Sequence, residues 1–324
     1  MPTKSESSLA LCIPAYNASK YLPTLLGSAL KQTIPFDEIL VYNDCSTDDT
    51  VGVAESFGAK VIKGDTNRGC TYGRKILAES TKCSWIHFHD ADDDILPNFT
   101  SLAHKWMAMP EPPDVILFNY RWIDLATGDL LATTKFDSMR LEKDPILYSI
   151  QVQINPFCGL YHTDSFLSAG GPDLDPLVAN NEDVAMHCKL ARAGLKFSCD
   201  AEFGVINYRV PNSMSRKNAY YRDGVFSQYH VMRKNYEALK EKENAPVYMA
   251  AIGEKLWQFA RYSSWVSDWK LTGEIVALAV KCGVHYPVKE SKIFQTLCKL
   301  SPYFAVALRE YINRIKRKPN TYWY

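Results

Sequence analysis

The chain has 324 residues, 47% hydrophobic and 23% charged, with a formal net charge of +1. That composition excludes disordered and fibrous classes and leaves room for a globular domain of ~200 residues plus an appendage. The charge is uneven, because residues 281–324 hold nine Lys/Arg against Glu290 and Glu310, a tail of +7 on a remainder of −6.

The first part alternates short apolar runs (LALCI, EILVY, AKVI and SWIHFH) with helical periodicity at Tyr21–Gln32, Asp48–Phe57 and Cys70–Ser80. Strand, helix, strand repeated in this way predicts an α/β domain with a mostly parallel sheet and flanking helices. DVILFN at 114–119 adds a buried strand, and YRWIDLATGDLLATTKF alternates about Thr127-Gly128 as a hairpin does. Residues 180–193 read as a helix ended by Gly194, after which KFSCDAEFGVINYRV returns to strand. From about Asn218 long stretches of helical period predict an all-helical appendage, so the expected division is 1–217 and 218–324. There is no internal repeat.

Nine scattered cysteines without C-x-x-C spacing read as free thiols in a reducing compartment. No stretch reaches the ~18 apolar residues of a membrane span, and MPTKSESSLA lacks the apolar run of a signal peptide. A cytoplasmic setting is expected, and no nucleic-acid partner.

In an open parallel sheet, ligands bind beyond the carboxyl ends of the strands. There LCIP is followed by Ala15-Tyr16-Asn17, LVY by Asn43-Asp44, VIK by Gly64-Asp65, and IHFH by Asp90-Ala91-Asp92-Asp93-Asp94. Four carboxylates within five residues repel one another unless a cation or solvent relieves them. A divalent metal is therefore indicated; the competing reading, acids before the helix that follows Pro97, needs only one or two of them. An EF-hand fails, because its sixth position is Ile95 instead of Gly and its twelfth Ser101 instead of Glu. His87 and His89 share a strand face without a third ligand at a useful spacing, which predicts packing instead of zinc. A hard ion held by one or two carboxylates completes its shell with water and substrate phosphates. The chain has no P-loop and no G-x-G-x-x-G after its first strand, so a nucleotide diphosphate held through Mn2+ or Mg2+ is the expected ligand.

These blocks resemble, in order, the inverting family-two glycosyltransferases of the GT-A fold, over residues 8–215. IPAYN matches P-x-Y-N, and LLGSALKQT with DEILVYNDCSTDDT matches S-x-L-x-Q-T followed by E-I-[IL]-V-x-D-D-G-S-x-D-x-T. NRGCTYGRK resembles N-x-G-x-x-x-A-R-N, FHDADD the metal loop, and NNEDVAMHCKLARAG the helix that opens on Glu-Asp. The resemblance implies a donor site of Pro14, Tyr16, Asn17, Asp44, Asp65, Gly69, Arg74, Asp90, Ala91 and Asp92. Within it Tyr16 lies against the base, Asp44 accepts from base or ribose, Arg74 lies near base or phosphates, and Asp90 lies near the ribose. Asp92, with Asp90, would hold the metal, Asp183 would be the catalytic base, and Glu182, Gly170 and Gly171 would lie on the acceptor side. Asn43, Cys45, Gly73 and Lys75 depart from the family's usual residues, which bears on the backbone path near the base.

The expected reaction is a single in-line displacement, in which a base takes the acceptor hydroxyl proton while the metal stabilises the departing diphosphate. A UDP-sugar donor, a glycan or lipid-linked acceptor and a place in bacterial surface polysaccharide assembly are implied. A nucleotidyltransferase and a non-catalytic sugar-nucleotide-binding relative are the alternatives, although IPAYNASKY lacks the glycine-rich basic loop of the first. In the tail, Ser301-Pro302 opens a helix on which Phe304, Leu308, Tyr311, Ile312 and Ile315 recur at helical spacing. Arg309, Arg314, Lys316, Arg317 and Lys318 surround them and Tyr322-Trp323-Tyr324 follows, a composition suited either to an anionic membrane surface or to packing on the appendage.

Overall fold

The computed structural model describes residues 7–209 and 218–316. The chain opens with strand β1 (Leu9–Ala15), helix α1 (Leu22–Leu30), β2 (Glu38–Asn43), α2 (Thr50–Ser56), β3 (Lys60–Lys63), α3 (Cys70–Ser80) and β4 (Trp85–Phe88). All seven residues of β1 are buried, as a strand covered on both faces requires, and β2 and β4 flank it in parallel. A short β5 (Asp94–Ile95), α4 (Phe99–Met107), β6 (Val115–Asp124) and β7 (Leu130–Thr134) follow. The expected hairpin is β6–β7, antiparallel with Tyr120 opposite Thr134. Next come α5 (Ser138–Lys143), α6 (Pro145–Gln151), β8 (Gly159–His162), α7 (Thr163–Ser168), α8 (Glu182–Arg192) and β9 (Phe197–Arg209).

The sheet order is β3-β2-β1-β4-β8-β6-β9-β5, with β7 on β6. Its first four strands are parallel, while β8 runs antiparallel to both β4 and β6, and β5 antiparallel to β9. The expected mostly parallel sheet is thus a mixed one. Apolar periodicity marks a strand but carries no direction, which is set by the side from which the chain re-enters the sheet. One apolar core built on Leu11, Ile13, Phe88, Phe99, Phe118, Tyr161 and Phe166 runs along the sheet.

By its internal contacts the chain forms two compact units, Met1–Leu174 with Glu182–Ser213, and Asp175–Asn181 with Met214–Tyr324. The second holds α9 (Asn218–Leu239), α10 (Ala245–Trp265), α11 (Trp269–Lys281), α12 (Lys292–Leu300) and α13 (Pro302–Lys316). Residues 175–181 group with these helices, because Asn181 Nδ2 donates to Gly224 O (2.9 Å) and Lys234 pairs with Asp175 (3.2 Å). Among the described residues no helix is long and apolar enough to cross a membrane.

On α13 the buried side chains are Ala305, Val306 and Glu310, whereas Phe304, Tyr311, Ile312 and Ile315 are exposed. Of the apolar stripe expected at the tail those four side chains are thus exposed and Leu308 is half-buried; on α12, Ile293 and Leu300 are 76% and 83% exposed. Two of the basic residues expected around it are engaged inside the unit. Arg309 bonds Glu290 (2.6 Å), and Arg314 bonds Glu310 (3.0 Å) and Ser264 O (3.1 Å). Arg317, Lys318 and Tyr322-Trp323-Tyr324 lie outside the described residues.

Candidate active site

Three strand ends are tied together by one residue. Asp44, just past β2, is buried; its N–H donates to Ala15 O at the end of β1 (2.8 Å), and its two oxygens accept from Arg68 N (2.8 Å) and Gly69 N (2.7 Å) in the loop before α3. Each oxygen keeps a second lone pair, so this structural role leaves Asp44 free acceptor capacity. Asn17 adopts a left-handed backbone (φ 49°) and accepts from Thr47 N (2.8 Å), which joins the β1 and β2 loops. Cys45 also has positive φ (61°), a backbone conformation that favours glycine, the usual residue at this place in the resembled motif. Tyr16 is 51% exposed, its ring presented to solvent, and Asp65 is exposed beside Thr66. Pro14 is buried at the end of β1, where it packs on Gly73 of α3.

The four acids after β4 divide into separate roles. Asp93 accepts from Asn207 Nδ2 (2.7 Å) and Tyr208 N (2.8 Å), and Asp94 from Ile95 N (2.8 Å) and Tyr208 Oη (3.4 Å), which pins the loop to β9. Burial, then the neighbouring acids, pushes the Asp93 carboxyl well above the usual range. Asp90 accepts from Arg74 Nη2 (2.8 Å). Asp92 meets its own backbone N–H, and among the described residues it has no other bonded partner and no ion pair; burial and then Asp90 raise its proton affinity. Ala91 is buried between the two. Asp92 and the second oxygen of Asp90 are hard oxygen donors, and no full protein cage of three or more ligating side chains forms among the described residues. That partial shell fits a Mg2+ or Mn2+ ion that takes its remaining ligands from phosphate and water.

His87 and His89 prove to be packing residues. Both are fully buried, His87 Nδ1 bonds Gly159 O (2.9 Å), and His87 Nε2 meets His89 Nδ1 (3.0 Å). Burial holds both neutral, pushing His89 down to about 3. With both rings neutral, His87 donates to Gly159 O through Nδ1–H and His89 Nδ1–H donates to His87.

Arg74 is only 2% exposed and spans two acids, Asp90 through Nη2 and Glu182 through Nη1 (2.9 Å). The guanidinium expected near base or phosphates is therefore occupied by carboxylates, and it joins the end of β4 to the start of α8. There Asp183 is buried, with Oδ1 accepting from Val184 N (2.8 Å) and Oδ2 from Gln153 Nε2 (2.7 Å). Burial first, then the charge of Glu182, pushes its carboxyl up to about 7. His187 fixes the main chain at this turn: Nδ1–H donates to Asp183 O (2.7 Å), and Nε2 accepts from Tyr161 Oη (2.9 Å). Gly170 and Gly171 have left-handed backbones, and Lys189 of α8 donates to Gly170 O (2.6 Å) and Pro172 O (3.2 Å), tying their loop to the same helix. Gln153, His187 and Tyr161 carry no local sequence signal, since their roles arise only where three elements meet.

A cleft of about 380 Å³ opens against Asp92, lined also by Lys20, Tyr21, Thr24, Asp93, Leu125, Ala126 and Tyr208. Of the expected site residues it contains Asp92.

Residues 10–163 match Glycosyl transferase family 2, a span that includes the acidic loop and ends before Asp183. An uncharacterized glycosyltransferase of Haemophilus influenzae is 34% identical over 90 residues, 28% of this chain and 31% of that protein. The uncharacterized glycosyltransferase YibD of Escherichia coli is 29% identical over 140 residues, 42% of this chain and 40% of that protein. Poly(ribitol-phosphate) beta-N-acetylglucosaminyltransferase TarS of Staphylococcus aureus is 33% identical over 93 residues, 26% of this chain and 16% of TarS. The matches thus span well under half of these relatives' lengths. Residues 1–349 of TarS, solved in complex with UDP-GlcNAc, superpose with a TM-score of 0.73 at 18% identity, covering 97% of this chain and 93% of that one. The fold is accordingly GT-A with C-terminal helices, and the match to glycosyl transferase family 2 lies in residues 10–163 of the chain.

Proposed function

We propose that this chain is an inverting glycosyltransferase that moves a sugar from a nucleotide-diphosphate donor, a UDP-sugar first, to a hydroxyl of a glycan or lipid-linked acceptor. The sorting of the acidic loop carries this reading: Asp93 and Asp94 are bonded to β9, Asp90 is bonded to Arg74, and Asp92 is left for a cation. A divalent ion bound by Asp92 and Asp90 would supply Lewis-acid stabilisation of the departing diphosphate. Asp183 takes the proton of the acceptor hydroxyl as that oxygen attacks the anomeric carbon and the bond to the nucleotide diphosphate breaks. Its raised proton affinity suits a base that works near neutral pH. Glu182 pairs with Arg74 (2.9 Å), and Tyr16 offers an exposed aromatic face to the base. The proposed division of labour is catalysis in 1–217 and a helical accessory region in 218–324.

UDP-GlcNAc in the TarS complex and the poly(ribitol-phosphate) in that protein's name support a UDP-sugar and a surface polysaccharide setting. The outward apolar side chains of α12 and α13 support peripheral attachment of a cytoplasmic enzyme to an anionic membrane face. The deciding experiment is a panel of nucleotide sugars with Mn2+, scored by thermal shift and nucleotide release, on the wild type and Asp92→Asn. The amide cannot supply the anionic oxygen a hard cation needs, so loss of metal-dependent donor stabilisation and of turnover is expected. Unchanged turnover in Asp92→Asn would remove the metal assignment, and stronger stabilisation by GDP than by UDP would overturn the choice of base.

A further inference from the structure

We propose that Gln153 is the positioning residue for Asp183, its side-chain amide fixing the plane of the carboxylate from which the acceptor proton is taken. This rests on the reading of Asp183 as the base. Val184 N holds Oδ1 from within the same helix, and that single bond leaves the carboxylate able to turn about its last torsion. Gln153 Nε2 supplies the second point, 2.7 Å from Oδ2, from a segment that follows α6. The amide is itself aligned, because Nε2 also lies 3.4 Å from Asn155 Oδ1, and Asn155 Nδ2 donates to Tyr120 Oη (3.2 Å). Gln153 is exposed while the carboxylate it holds is buried, so it is placed as a donor to Asp183 instead of a packing residue.

The charged and titratable groups that face Asp183 are Glu182 beside it on α8, Arg74 of α3, Tyr120 of β6 and Cys158 before β8. His187, one turn along, bonds the main-chain oxygen and is held neutral by burial. None of these is removed when Gln153 is replaced. A donor to the ionised form lowers a carboxyl pKa, so deleting it raises the pKa, by about one unit for a single charge-assisted bond.

The test is carboxyl carbon NMR of the full chain labelled with 13C-aspartate, in which the resonance missing from Asp183→Asn identifies Asp183. In Gln153→Leu its titration midpoint is expected to rise by about one unit. In Gln153→Lys, whose ammonium donates and adds a positive charge, the midpoint is expected to fall. Because residue 153 is exposed, both variants should melt as the wild type does at pH 4, where folded Asp183 is protonated in all three proteins, a check made on the same samples. A midpoint unchanged in both variants overturns the proposal. UDP release from UDP-GlcNAc with Mn2+, followed against pH, separates this from the underlying reading. If the NMR midpoint moves while the activity limb stays, the base assignment fails and the hold by Gln153 stands; if both move together, both stand.

Discussion

Asp183 is held in an environment that opposes its charge, and that has consequences for stability as well as for chemistry. Burial and Glu182 favour its protonated form in the folded chain, whereas in the unfolded chain it titrates in the ordinary Asp range, near pH 3.8. Below about pH 4 both states are protonated and the stability linked to this group is fully present. As pH rises toward about 7 the unfolded chain ionises first, and that stability is lost. Asp183→Asn removes the penalised charge, so its melting temperature should exceed the wild type's by about 2–4 °C at pH 8 and match it at pH 4. Transfer should fall by roughly a hundredfold or more with donor binding kept, the scale expected for loss of a general base. Melting curves at the two pH values and nucleotide binding by calorimetry check this; a lower melting temperature at pH 8, or collapsed donor affinity, would contradict it. Arg74 works at the same scale. One buried guanidinium is shared by Asp90 and Glu182, and removing one partner from such a buried group typically costs about 3–5 kcal/mol.

Among the elements, β2, β3 and α3 approach one another through one large and two small residues. A Cβ built on Gly64, just past β3, would stand 2.5 Å from Tyr42 Oη, and one on Gly73 of α3 would stand 2.9 Å from the Tyr42 ring and 3.0 Å from Pro14 Cβ. Glycine at 73, where the resembled motif usually has alanine, is thereby explained by the tyrosine on β2. Gly64→Ala should cost about 1–3 kcal/mol, the usual range for overpacking a tight site. Tyr42→Phe, which removes the clashing oxygen, should restore most of that loss in the double variant. Urea unfolding of the four proteins measures the coupling; strictly additive losses would show that the two sites do not share this contact.

For the whole molecule the open question is what the outward side chains of α12 and α13 meet. Ile293, Leu300, Phe304, Tyr311 and Ile315 are exposed, with Lys292, Lys299 and Lys316 exposed among them. Each basic residue near an anionic surface contributes about 1 kcal/mol. Since Arg309 and Arg314 are paired internally, the described lysines supply less attraction than the tail's formal charge suggests. The membrane reading therefore leans on the apolar side chains. Tyr311→Ser with Ile315→Ser alters exposed positions and leaves Ala305, Val306 and Glu310 buried as they are. Sedimentation with anionic vesicles at low salt should recover the intact chain and much less of the double variant, and equal recovery would sink the idea.

Much of the catalytic unit was legible in the sequence, because its signals are local. Apolar runs of strand length, the residues that follow them and Gly194 at the end of α8 are read within a few positions, as are the acidic loop and the Glu182-Asp183 pair. Strand direction was not legible: β8 enters antiparallel, and apolar pattern has no polarity. Nor were the partners. That Asp93 and Asp94 anchor the loop to β9, that Arg74 is enclosed between two acids, and that Gln153 reaches Asp183 depends on contacts between 16 and 115 residues apart in sequence. At the tail the helical period placed an apolar stripe correctly but assigned it no neighbour, since core-facing and surface-seeking helices share that period. Residue chemistry and local periodicity were determined by the sequence alone; which carboxylate is paired with a cationic side chain and which has its proton affinity raised was decided by tertiary burial, because a charge's energy depends on what surrounds it in space.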